Sequence, residues 1–128
     1  MKTDTNKDKT AEDYLEAMLI LKEKKGFIRS IDVAAFLGVT KPSVTYTTKR
    51  LRERGLITMD QENYITITDE GMSIASNIYH RHVLLRDLFL RLGVSSECAE
   101  KDACRVEHDL SQETFDAIRS HAEKYSCG

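Results

Sequence analysis

The sequence has no tryptophan, one proline, and an odd number of cysteines: Cys98, Cys104 and Cys127. Each scarcity excludes something. Three thiols without C-x-x-C spacing make neither an even disulfide framework nor a zinc knuckle, and they fit a reducing compartment. With Pro42 the only proline, long stretches of chain are free to be helical without interruption. No apolar run approaches the roughly 20 residues of a membrane span. The first ten residues, MKTDTNKDKT, are polar with no apolar stretch behind them, so a secretory signal is not expected and the cytoplasm is. A net charge of −2 does not announce a partner for polyanions.

The distribution of that charge says more. Residues 1–58 hold 12 Lys and Arg against 8 Asp and Glu, whereas residues 59–128 hold 7 against 13. A basic front half and an acidic back half suggest that one part meets polyanions and the other does something else. At 128 residues there is room for one domain, or for a small domain with an appended element.

The hydrophobic pattern predicts mainly helix. Residues 1–10 read as frayed, and AEDYLEAMLILKEKKG as a helix capped by Thr10, with Leu15, Met18 and Leu19 inward and Gly26 as its stop. SIDVAAFLGV reads as a short helix capped by Ser30, with Val33, Ala34 and Leu37 inward, and TKPSVTYTTKRLRERG as one capped by Thr40, with Pro42 in its first turn. The period then changes. LITM and YITIT alternate around Asp60-Gln61-Glu62-Asn63, which predicts a β-hairpin. Thr68 caps a long helix from about Asp69 to Leu92, with Ile74, Ile78, Leu85, Leu88 and Leu92 along its inner stripe. Ser95 or Ser96 starts a helix to about Asp109 with Ala99, Ala103, Val106 and Leu110 inward, and Ser111 caps a last one to about Lys124.

Two short helices around a glycine turn, followed by a hairpin, form the pattern of a winged helix-turn-helix. With Val44, Thr47, Thr48 and Leu51 inward on the second helix, Pro42, Ser43, Tyr46, Lys49 and Arg50 face outward and Thr45 lies at the edge; Thr40 and Lys41 open the same face. Hydroxyls, an aromatic ring and cations suit a DNA major groove, although a solvated helix face would carry similar residues. The hairpin tip bears Asp60 and Glu62, which makes it a poor phosphate clamp.

In the acidic half, CRVEHDLS places Cys104, Glu107 and His108 within about 100° of one another on a helix. Thiolate, carboxylate and imidazole can converge on one ion from there, but they do not complete a shell. Asp13 and Glu16, one turn apart on the first helix, and His82 on the long helix can add to it; His80 lies about 160° round from His82 and is not expected to share its site. Each has an ordinary alternative. Asp13 suits a capping box with Thr10, Glu16 a solvated face, His82 a surface hydrogen bond and Cys104 a small core position. Six such residues on three helices favour the metal.

From EDYLEAMLIL through the helix-turn-helix to YHRHVLLRDLFLRLGV and DACRVEHDLS, the chain resembles the diphtheria toxin repressor family of iron-dependent repressors, including its manganese transport regulator branch. The resemblance implies a metal-dependent transcriptional repressor: a winged helix-turn-helix over residues 1–70 and a helical metal-binding and dimerisation domain over 71–128. Fe(II) or Mn(II), one or two ions per chain, would activate a homodimer to bind operator DNA of metal-homeostasis genes. Larger members add an SH3-like domain, and a chain of this length corresponds to the short form. It also implies a principal site of Asp13, Cys104, Glu107 and His108, and a second of Glu16 and His82 that shares Glu107. Cys104 matches iron-type members; Asp13 and Glu16 match the manganese branch. Arg86 stands where many members have a carboxylate, and Glu100 where iron-type members have histidine. Two other readings remain. A metalloenzyme would want a nucleophile–base pair or a phosphate loop, neither of which is visible. A metal-independent winged-helix regulator would respond to a small molecule or to thiol oxidation.

Overall fold

The computed structural model describes the backbone of residues 2–126 and the side chains of residues 9–124; Cys127 lies outside the described residues. The elements are α1 (Lys2–Lys25), β1 (Ile28–Arg29), α2 (Ser30–Leu37), α3 (Lys41–Glu53), β2 (Ile57–Met59), β3 (Tyr64–Ile67), α4 (Asp69–Arg91), α5 (Ser96–Val106) and α6 (Gln112–Ser126). They divide into two compact units, residues 1–77 and 78–128, with the division falling inside α4. Among the described residues no helix is long and apolar enough to cross a membrane.

In the first unit, α1 begins at Lys2, so Thr10 lies inside it rather than capping it, and the residues expected to fray belong to the helix. The cap expectation failed because KTDTNKDK, although polar, contains nothing that stops a helix. The helix ends at Gly26, whose φ of 84° is left-handed. Ala11, Tyr14, Leu15, Ala17, Met18, Leu19 and Leu21 are all buried. Next, α2 starts with Ser30 as its first residue; Arg29 holds the cap position and no side chain caps it, contrary to expectation. At its far end Gly38, left-handed at φ 69°, returns its N–H to the Ala34 carbonyl at 2.9 Å and turns the chain into α3. The side chain of Thr40 caps α3 by accepting from the Ser43 N–H at 3.3 Å, as the sequence predicts. Val33, Val44 and Leu51 fill the space between these helices, each side chain contributing about 1.5–3 kcal/mol by burial.

The hairpin forms with Ile57 opposite Ile67 and Met59 opposite Ile65. At its tip Asp60 Oδ1 accepts from the N–H groups of Glu62 and Tyr64, both at 2.9 Å, and Asn63 takes a left-handed φ of 68°. The acid at the tip therefore builds the turn. A third strand, β1, pairs antiparallel with β3 through Ile28–Ile65 and Arg29–Tyr64, giving the order β1-β3-β2. Two residues are too few to show a period, which is why the sequence does not reveal it.

Thr68 joins three elements. Its hydroxyl donates to the Gly55 carbonyl at 2.7 Å and accepts from the Gly71 N–H at 3.1 Å, while its own N–H reaches the Leu56 carbonyl at 3.1 Å. Gly71 is required here by contact rather than by φ, because a Cβ would lie 2.1 Å from the Leu56 carbonyl oxygen.

The second unit holds the rest of α4 with α5 and α6 around Ile78, Leu85, Ala99, Ala103, Phe115 and Ala122. Ser95 caps α5 and Ser111 caps α6 through the N–H groups of Cys98 and Thr114. Two expectations fail. Leu92, taken as inward, is 71% exposed, because α4 ends at Arg91 and Gly93 turns the chain away at φ 97°. And α5 stops at Val106 rather than Asp109, so that Glu107 is its C-cap and His108 lies beyond it. The last turn tightens there, with the Asp109 N–H on the Val106 carbonyl at 3.0 Å.

The Gly71 contact is testable. Gly71→Ala should destabilise the chain by about 2–3 kcal/mol in urea unfolding, since backbone must shift to admit the methyl. Ser73→Ala, at an exposed position of the same helix, should stay within about 0.5 kcal/mol.

Candidate metal centre and nucleic-acid face

The outward face of α3 is as the sequence predicts. Lys41, Pro42, Ser43, Thr45, Tyr46 and Lys49 are exposed and Arg50 is half-buried, while Val44, Thr48 and Leu51 are buried. The hydroxyls of Thr40 and Ser43 are partly used in the cap, with Thr40 Oγ1 donating to Ser43 Oγ at 3.0 Å. Tyr46 is 63% exposed, yet ordered against its neighbour one turn on: Arg50 Nη1 donates to its hydroxyl at 3.2 Å, and the guanidinium lies 5.5 Å from the ring centroid. A guanidinium fixed in this way loses less rotamer freedom when it meets a phosphate or a guanine edge. On β1, Arg29 stacks 6.0 Å from the Tyr64 ring, a second ordered cation that sequence periodicity does not indicate.

In the second unit the ligand-bearing side chains gather on Glu107, which has no exposed surface. It continues the Ala99–Ala103 stripe at four-residue spacing, so its carboxylate points inward. Glu107 Oε1 accepts from His82 Nδ1 at 2.8 Å. Glu107 Oε2 makes no hydrogen bond among the described residues and lies 3.4 Å from His108 Nε2. Cys104 is exposed, and its sulfur lies within 4.8 Å of a Glu107 carboxylate oxygen. Asp13 and Glu16 belong to the first unit, on one face of α1, with Asp13 half-buried and Glu16 8% exposed. His80 is exposed and stands apart from His82, its ring tilted against Tyr79 at 6.4 Å.

Two residues outside the expected ligand set shape this centre. Arg81 is buried, and its Nη1 donates to the carbonyls of Glu107 at 3.0 Å and Leu110 at 2.7 Å, while Nη2 reaches Gln112 Oε1 at 3.1 Å. These are carbonyls that the early end of α5 leaves without helical partners. Its guanidinium also lies over Phe115 at 5.1 Å. Glu100, noted in the sequence only as a departure from the iron-type pattern, hydrogen-bonds His82 Nε2.

The residues present fit a divalent cation. A buried carboxylate oxygen without a hydrogen bond, facing an imidazole nitrogen, is an arrangement that a metal completes. The donor set is mixed: carboxylates suit hard ions such as Mn(II), while thiolate and imidazole suit Fe(II) and later metals. Without metal, the imidazole of His82 holds a proton. The hydrogen bond to Glu107 raises its pKa from 6.5 to about 9 against the opposing effect of burial, and Glu100 adds to the rise.

Comparison with known proteins agrees with this geometry. Residues 8–64 match the iron dependent repressor N-terminal DNA binding domain, and residues 68–126 the iron dependent repressor metal binding and dimerisation domain. The transcriptional regulator MntR of Escherichia coli is 40% identical over 114 residues, which cover 89% of this chain and 74% of that protein. The chain belongs to the iron-dependent repressor family. Among these metal-dependent transcriptional repressors, the MntR of Geobacillus kaustophilus is 34% identical over 84% of the chain and 76% of its own length. Of the solved family members, the metal-dependent transcriptional regulator MtsR superposes with a TM-score of 0.80 at 26% identity, over 88% of this chain and 53% of that one. A manganese-dependent transcriptional repressor in complex with manganese gives 0.78 at 26% identity, over 87% and 51%. The IdeR of T. acidophilum shares the fold, with a TM-score of 0.77 at 22% identity over 90% and 53%. The chain spans about half the length of these solved structures.

The His82 contacts imply a pH dependence. Because its folded pKa lies above the unfolded value of 6.5, the stability that it supplies is complete below that pH and is lost as pH rises through about 9. The metal-free chain should therefore lose urea resistance between about pH 6.5 and 9, and His82→Gln should flatten that decline. An unchanged slope in the variant would assign the decline to other groups.

Proposed function

We propose that this repressor acts as a homodimer that binds operator DNA of metal-homeostasis genes when Fe(II) or Mn(II) fills a centre of Asp13, Cys104, Glu107 and His108, with Glu16 and His82 as ligands of a second position. The observation that carries the reading is the buried Glu107 carboxylate, held by His82 on one oxygen and, among the described residues, without a hydrogen bond on the other. The family matches give a DNA binding domain over residues 8–64 and, over residues 68–126, the metal binding and dimerisation domain that contains Glu107. One solved relative, a manganese-dependent transcriptional repressor in complex with manganese, supports Mn(II); Cys104 supports Fe(II).

Each side chain has a distinct part. Glu107 supplies a desolvated negative charge, Cys104 a thiolate and His108 an imidazole, while Arg81 holds the backbone that presents Glu107 by two hydrogen bonds. Asp13 and Glu16 come from α1, which in the first unit packs on α2 of the helix-turn-helix. A divalent cation supplies positive charge to these acids. Ligands drawn from α1 and from the end of α5 then restrict α1, and with it the positions at which two recognition helices are offered to two half-sites. On DNA, Lys41, Lys49 and Arg50 meet phosphates or guanine edges, and Thr40, Pro42, Ser43, Thr45 and Tyr46 complete the contact face. The chain works in the cytoplasm and regulates rather than catalyses. Because thiolate and neutral imidazole are required, metal affinity falls on acidification.

The test is an anaerobic DNA-shift titration with and without Fe(II) or Mn(II). Metal should tighten operator binding by roughly 10-fold or more, a coupling of about 1.4 kcal/mol. Glu107→Ala combined with His108→Ala should abolish that gain. Equal affinity in both states, or full DNA binding by the double variant, would leave a regulator that answers to thiol oxidation or to a small molecule instead.

A further inference from the structure

Both ring nitrogens of His82 are already engaged in the metal-free chain, Nδ1 by Glu107 at 2.8 Å and Nε2 by Glu100. The other oxygen of Glu100, Oε1, lies 3.8 Å from Arg86 Nη1. Arg86 stands four residues after His82 on α4, hence on the same face, and also reaches Asp87 Oδ1 at 3.4 Å. A continuous series results, guanidinium to carboxylate to imidazole to carboxylate, built wholly within the second unit. A guanidinium keeps its charge at every ordinary pH, so the cation at its head is permanent.

For an ion to bind His82, a carboxylate must be displaced from one of its nitrogens and the ion must then sit beside that permanent cation. We propose that Arg86 and Glu100 together take the place of a second metal ion: Arg86 is a built-in cation that neutralises Glu100, and Glu100 holds the imidazole, so that the chain loads one divalent ion rather than two. The inference rests on the metal-dependent reading of Glu107 and replaces the second position of that reading, so that His82 is a hydrogen-bonding partner of Glu107 rather than a ligand. His82 then serves by holding Glu107 Oε1, leaving Oε2 for the ion.

The experiment is anaerobic equilibrium dialysis of the full chain against Mn(II), with bound metal and protein both quantified and circular dichroism recorded to check the fold. The wild type should hold about one ion per chain, and Arg86→Glu, which exchanges the cation for a carboxylate donor, about two. Arg86→Ala, milder in its effect on folding, should admit a second ion at higher Mn(II) concentration. Side chains of Arg86 and Glu100 are 35% and 53% exposed, so neither substitution removes core packing. Two ions on the wild type, or a single ion on both Arg86 variants, would overturn the proposal. A wild type that binds no Mn(II) and no Fe(II) would instead remove the metal-dependent reading on which it stands.

Discussion

Burying a carboxylate is among the costlier things a fold can do, and this chain does it at Glu107. The surroundings are organised around that cost. His82 gives one oxygen a charged hydrogen bond, Arg81 holds the backbone of Glu107 and Leu110, and the small Ala99 and Ala103 let the stripe that ends in Glu107 approach its neighbours closely. What remains is one oxygen facing His108. The early end of α5, the buried Arg81 and the raised pKa of His82 are thus parts of a single arrangement. Each makes sense only because the carboxylate points inward.

Much of this was legible in the sequence because it depends on local rules. Caps at Thr40, Thr68, Ser95 and Ser111, stops at Gly26, Gly38 and Gly93, and the switch of period at the hairpin all follow from residue types at fixed offsets. The exposed face of α3 was legible for the same reason. What escaped depends on tertiary partners. Helical spacing alone put Glu107 on a side stripe with Cys104 and His108; the four-residue step from Ala99 through Ala103 also leads to Glu107, and only packing decides between the two. Arg81 looks like a surface cation until the carbonyls at the end of α5 need a donor. Thr10 and Ser30 are good capping residue types whose helices began elsewhere, the first because no Gly or Pro upstream stops the helix.

The opposite charges of the two halves have different origins. On α3 Lys41 and Lys49 are exposed and the half-buried Arg50 is ordered by Tyr46, as suits a surface that meets a polyanion. In the second unit acids are interleaved with His82, Arg81 and Arg86, so that the local excess is partly neutralised before any metal arrives. Asp60 illustrates how poorly charge alone predicts a role. It is an acid on the wing, where a cation would grip phosphate, yet its oxygen is committed to the backbone of the turn.

Thr68 and Gly71 have a mechanical implication. Between them, the consecutive carbonyls of Gly55 and Leu56 are tied to the first turn of α4, with no side chain at Gly71 to act as a cushion. The exit of the recognition helix and the root of the wing are therefore clamped to the same short arc of α4. A torque applied to that arc has no soft joint in which to dissipate. It turns the hairpin and the end of α3 together, as a key turns with its bow.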